Sequence, residues 1–178
     1  MKKLKNILVA SILTVSAFTA TIMTSCNPDA CKDVVCSNGG TCTDGSCTCA
    51  SGYEGSDCNT QSLSKILGTN NTSANYNFSD AGSALCGGTY TGTFTATRSA
   101  ADTTNLILTN MGGFGVTTYV KATVDKNTLT IPTQAITGVS PTVTVSGTGT
   151  YSNGVINGTY NSTDATGTCS YTFTWTKQ

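Results

Sequence analysis

The 178-residue chain has no histidine, one arginine, one tryptophan and three prolines, and only 10% of its residues are charged. Without histidine there is no Ser-His-Asp triad, no Cys-His dyad and no imidazole metal ligand. Nine basic side chains balance nine acidic ones, so no basic stripe exists to take up nucleic-acid phosphates. The longest apolar stretch, Ile7 to Phe18, is too short for a membrane-spanning helix. Nil net charge and 38% hydrophobic residues also exclude the composition of a disordered chain.

What is abundant is unevenly placed. Seven of the nine cysteines lie between Cys26 and Cys58. Ahead of them, Lys2, Lys3 and Lys5 precede the apolar run, the order of charge and hydrophobicity found in export signals. An Ala-x-Ala cleavage site is missing, because Ala20 has the bulky Phe18 two residues before it. Instead the run is followed by Met23-Thr24-Ser25-Cys26, which resembles the lipobox of bacterial lipoproteins. That resemblance implies a signal peptide over residues 1–25 and a diacylglyceryl anchor on Cys26. Residues 26–30 would then form the anchor and a short tether. Each buried methylene of such a lipid contributes ~0.8 kcal/mol, and two or three chains together hold stably. Asn27 replaces the Asp that retains some lipoproteins in the inner membrane, so the expected address is the outer membrane. The processed chain would carry six basic and nine acidic side chains.

From residue 31 the spacing is Cys31-x4-Cys36-x5-Cys42-x4-Cys47-x-Cys49-x8-Cys58. Cysteines this dense in an exported chain form a disulfide framework, and six cysteines allow 15 pairings. Zinc is the rival reading, but its paired CxxC knuckles are absent. The segments Cys-Ser-Asn-Gly-Gly-Thr-Cys at 36–42 and Cys-Thr-Cys-Ala-Ser-Gly-Tyr-Glu-Gly-Ser-Asp-Cys at 47–58 closely resemble the EGF-like module. The resemblance implies a module over residues 31–58 with the pairs Cys31–Cys42, Cys36–Cys47 and Cys49–Cys58. A unit this small cannot bury enough surface to fold without such staples. Asp44-Gly45 reads as a hairpin turn. Calcium-binding members carry an acidic pair before the first cysteine. Here that stretch is Asn27-Pro28-Asp29-Ala30, so no calcium, and no other metal or cofactor, is expected.

Composition changes at Asn59-Thr60, and residues 61–178 hold 28 threonines and only two cysteines. Apolar residues alternate with threonines in run after run, the mark of half-buried strands. Tyr90, Gly92, Phe94 and Ala96 alternate with Thr89, Thr91, Thr93, Thr95 and Thr97; Val116, Val120, Ala122 and Val124 with Thr117, Tyr119, Lys121 and Thr123; Tyr171, Phe173 and Trp175 with Thr172, Thr174 and Thr176. A weaker run at Ala74 to Phe78 adds a strand, and Ser62 to Leu67 reads as a helical turn. The links are short, as at Asp125-Lys126-Asn127 and Ser152-Asn153-Gly154, so neighbours are antiparallel. The expected fold is mainly β: an EGF-like module plus an antiparallel meander of seven or eight strands, closed as a barrel or flattened as a sandwich. A Cys86–Cys169 bridge would bring the last strand beside the start of the meander. Strand number, order and closure resemble the calycin, or lipocalin-like, barrels, which would imply a ligand cup.

Trp175 shares a face with Tyr171 and Phe173 and is expected in the core. Gly92, Gly147, Gly149 and Gly158 fall on apolar faces and are expected to seat aromatic rings. Tyr119 and Lys121 on the polar face form a candidate ligand patch. Asp80, Asp102, Asp125 and Asp164 are expected in turns. Asp102-Thr103-Thr104 resembles the acceptor of an O-glycosylation system of some Gram-negative bacteria, which marks Thr103. With no histidine and no nucleophile motif, no enzymatic activity is expected. The functional expectation is a non-catalytic envelope lipoprotein whose EGF-like stalk presents a β domain to a glycan or protein partner. The alternative is a lipocalin-like carrier of a small apolar ligand.

Overall fold

The computed structural model describes residues 30–68, 70–102 and 104–178. The candidate signal segment, the lipidation candidate Cys26 and the glycosylation candidate Thr103 lie outside the described residues. The fold is mainly β, with a disulfide-rich EGF-like module followed by a closed antiparallel barrel of eight strands.

The small module contains two short antiparallel pairs. β1 (Thr41–Thr43) pairs with β2 (Ser46–Thr48), and β3 (Tyr53–Glu54) pairs with β4 (Thr60–Gln61). Asp44 and Gly45 both take positive φ, the geometry a two-residue hairpin needs. The bridges are Cys31–Cys42, Cys36–Cys47 and Cys49–Cys58, the pattern that the EGF-like resemblance implies. These six sulfurs are therefore not thiolates, and the zinc reading is overturned. The β3–β4 pair carries the module three residues past Cys58, to Gln61.

The barrel strands are β5 (Ser73–Gly82), β6 (Thr89–Arg98), β7 (Asn105–Thr109), β8 (Tyr119–Asp125), β9 (Thr128–Ala135), β10 (Thr144–Ser152), β11 (Val155–Asp164) and β12 (Gly167–Lys177). Each pairs with its sequence neighbour, and β12 returns to pair with β5, so the sheet has no free edge. Alternation places the threonines outside and the apolar residues inside. Two expectations fail. Val116 is not on a strand face; it is 78% exposed, because a turn closed by Thr118 N–H to the Gly115 carbonyl delays β8 until Tyr119. Asp80 is not in a turn. It lies within β5 and is fully buried.

Rings fill the barrel interior. Trp175 and Phe173 stack at 3.9 Å between centroids, Phe94 meets Trp175 edge-on at 4.8 Å, and Tyr76 stacks on Phe94 at 5.3 Å. The glycines on the inner face make room for them. Gly149 and Gly158 face each other across β10 and β11, and the tip of the Phe173 ring would lie 2.7 and 2.6 Å from a Cβ placed on them. Phe78 crosses Gly92 in the same way. The space that a calycin cup would give to a ligand is thus occupied by the protein's own side chains.

The two ends of the barrel differ. The proximal end is plugged by the short helix α1 (Leu63–Leu67), whose Leu63, Ile66 and Leu67 are buried. The Tyr76 hydroxyl donates to the Ile66 carbonyl over 2.8 Å from inside the barrel, and burial holds that phenol well above its usual pKa. The EGF-like module sits on this end. Gly52 N–H donates to Asp125 Oδ1 (3.0 Å), Lys126 N–H donates to the buried Ser62 Oγ (3.0 Å), and Lys65 Nζ bridges Glu54 Oε2 and Asn127 Oδ1 at 2.7 Å each. The distal end is closed below its rim by Met111 and Ile136, both buried.

Candidate binding site at the distal mouth

Above Met111 the distal loops surround an open cleft of about 640 Å³. Four chain segments build it: the β5–β6 connection (83–88) running into Tyr90, the turn after β7 (111–116), the end of the β9–β10 connection at Val143, and the β11–β12 hairpin with its flanks (162–171). The Cys86–Cys169 bridge ties the first segment to the last. Both Tyr90 and Tyr171 donate their hydroxyls to the Cys86 carbonyl, at 3.2 and 3.1 Å. The tight stretch at Cys86-Gly87-Gly88 is available because both glycines take positive φ, and Tyr90 lies directly over Gly87.

An aromatic column connects this cleft to the core. From Phe173 it steps to Tyr160 (6.1 Å), from Tyr160 to Tyr171 (4.9 Å, stacked), and from Tyr171 to Tyr90 (6.2 Å, tilted). Tyr90, at 42% exposure, is the ring that meets solvent. Phe114 and Val143 also line the cleft, and Leu85, lining it too, stands fully exposed.

The polar side of the cleft comes from Ser83, Ser162, Asp164, Thr166 and Thr168. Asp164 Oδ1 accepts from Thr166 Oγ1 (2.6 Å), Thr166 N–H (2.7 Å) and Gly167 N–H (3.2 Å). The Thr166 hydroxyl and then its amide hold the carboxyl below the usual carboxylate range, so it is ionised at neutral pH. Its Oδ2 makes no hydrogen bond to any described residue. Among the described residues, no lysine or arginine lines the cleft.

The residues singled out from sequence are dispersed. Tyr119 and Lys121 lie on the outer wall of β8, outside the cleft lining, where Gln134 brackets the Lys121 backbone from both sides. Asp102 caps a proximal loop through Thr104, and Asp125 holds the EGF-like module. Asp80 accepts from Trp175 Nε1 and from the Tyr160 hydroxyl, at 3.0 Å each, in the barrel interior. Asp164 reaches the cleft, as do the bridged Cys86 and Cys169. Tyr90 and Tyr171 read as core-facing from alternation alone. Nothing local in the sequence distinguishes a position at the end of a barrel from one in its middle.

Residues 31–61 match the Teneurin-like EGF domain family. Comparison with curated proteins and with solved structures finds no match. The matched stretch coincides with the module defined by its three bridges and the β3–β4 pair, a build that belongs to exported and extracellular proteins.

Proposed function

We propose that the chain is a bacterial envelope lipoprotein, anchored through Cys26 after removal of residues 1–25, that displays its barrel as a non-catalytic binding domain. Residues 26–30 are the tether, the EGF-like module is a rigid base, and residues 61–178 form the displayed domain. The observation that carries this reading is the clasp at the proximal end. From the module, Gly52 N–H donates to Asp125 at the end of β8 and Glu54 pairs with Lys65 of α1, while Ser62 and Lys65 fix α1 to the β8–β9 turn. The mouth therefore lies at the barrel end opposite the module. Stiffness there matters, because a flexible linker would let the mouth fold back on the membrane. The filled interior favours an external partner over an enclosed apolar cargo.

Metabolic labelling with a palmitate analogue tests the anchor. Wild-type protein should carry label and Cys26→Ser none, and globomycin should make the unprocessed precursor accumulate. Unlabelled protein whose processing ignores globomycin would remove the anchor from the reading.

A further inference from the structure

We infer that the distal mouth is a binding site for a neutral oligosaccharide, with Tyr90 as the stacking platform and Asp164 Oδ2 as the principal hydroxyl acceptor. This deepens the reading of the chain as a binding protein and rests on it. The cleft, at about 640 Å³, falls within the range of small-ligand sites. Its lining combines aromatic rings with hydroxyl and carboxyl groups, and a sugar ring offers a surface for each. A pyranose offers apolar C–H faces and a rim of hydroxyls. The C–H face suits the exposed ring of Tyr90, backed by Tyr171, with Phe114 also in the lining. The hydroxyl rim suits Asp164, which accepts, and the hydroxyls of Ser83, Ser162 and Thr168, which donate or accept.

Charge narrows the class. An ionised carboxylate with one uncommitted oxygen accepts two hydroxyl hydrogen bonds well and repels anions. With no cation in the lining, nothing there would offset the charge of a uronate, sialate or phosphate. The site is also preorganised. Tyr90 and Tyr171 are both held by the Cys86 carbonyl, and Cys86 is fixed by its bridge to Cys169, so little ordering is left to pay at binding. An aromatic wall beside a carboxylate is also the composition of a quaternary-ammonium site. The run of hydroxyl side chains favours the sugar, and choline becomes a competitor in the test.

The full-length protein in detergent micelles is titrated calorimetrically with cello-, xylo-, manno- and maltotetraose, with tetragalacturonate and with choline. At least one neutral tetrasaccharide should bind, and tetragalacturonate and choline should bind at least about tenfold more weakly. Tyr90→Ala and Asp164→Asn should each lower affinity about tenfold. Tyr90→Phe, which keeps the ring but loses the hydroxyl held by the Cys86 carbonyl, should fall between wild type and Tyr90→Ala, and Tyr119→Ala on the outer wall should change nothing. Circular dichroism melts show whether each variant is folded, and Asp164→Asn on an exposed hairpin keeps the test alive if Tyr90→Ala is not. No neutral sugar bound at millimolar concentration, tighter binding of choline or tetragalacturonate, or affinity indifferent to both mouth variants would each overturn the assignment. Intact mass of the same preparation reports acylation of Cys26, so loss of the sugar site and loss of the anchor are read separately.

Discussion

Trp175 Nε1–H donates to Asp80 Oδ1 over 3.0 Å across the β12–β5 seam, and the Tyr160 hydroxyl donates to the other carboxylate oxygen at the same distance. The seam closes the barrel, so one buried acid is shared by the last strand, the first strand and β11. Burial raises the Asp80 pKa more than the two donors lower it. In the folded chain the proton is therefore held to higher pH than in the unfolded chain, whose value is about 3.9. Stability from this group is complete below that value and is lost as pH rises through the folded one. Urea melts at several pH values between 3.5 and 7 should show wild type losing stability relative to Asp80→Asn as pH rises. The difference between the two chains cancels Asp102 and Asp164, whose depressed values act in the opposite direction. Asp80→Ala leaves two buried donors without an acceptor and should lose about 2 kcal/mol or more at every pH. An unchanged gap between wild type and Asp80→Asn across that range would refute the linkage.

The glycine pair under Phe173 gives a second prediction. A Cβ on Gly149 would meet the ring at 2.7 Å and Ile156 Cγ2 at 2.9 Å. Gly149→Ala should destabilise the barrel by about 1–3 kcal/mol through overpacking. Phe173→Leu alone should also destabilise, by leaving a void. Combined, the two changes should be milder than their sum, because the smaller side chain vacates the space that the new methyl needs. Strict additivity in a denaturation cycle would mean that the ring and the glycine do not share that space.

These two contacts show what was legible in the sequence. Strand positions, hairpin turns and the glycine–aromatic pairing follow from short-range rules. Alternation fixes the inner face, and residues such as Asp44-Gly45 and Asn153-Gly154 can take positive φ at the turns. Asp80 breaks the pattern of its own strand, and its partners lie 80 and 95 residues away. No local signal could separate it from a turn aspartate. Val116 continues an alternation that the Gly115–Thr118 turn interrupts, so the pattern there overran the strand. The mouth was illegible for a further reason. It is assembled by ring closure from segments about 80 residues apart, and its key ring, Tyr90, differs from a core residue only in its distance from the strand's end.

The clasp between module and barrel should make the described unit unfold together. Ser62 is fully buried and its hydroxyl accepts from Lys126 N–H, so Ser62→Ala orphans a backbone donor at the joint and should lose about 1–2 kcal/mol. Asp125→Ala removes the acceptor for Gly52 N–H. In the double variant the two parts should tumble separately by NMR relaxation, and limited proteolysis should cut between Asn59 and Thr72. Wild type should resist at that segment. Equal cleavage of both chains would show that the clasp does not hold the base rigid.

The Cys86–Cys169 bridge encloses a sequence separation of 83 residues, long enough for a large effect on the unfolded chain. The chain-entropy model assigns a loop of this size about 4 kcal/mol. Cys86→Ala/Cys169→Ala should lower stability by about 3–4 kcal/mol yet keep the barrel, because both half-buried cysteines sit at the mouth and not among the rings of the core. The same variant frees the carbonyl that holds Tyr90 and Tyr171. Sugar affinity at the mouth should therefore fall while far-ultraviolet dichroism is unchanged. A variant that loses stability and keeps full affinity would assign the bridge to folding alone and leave the preorganisation of Tyr90 to the Gly87-Gly88 turn.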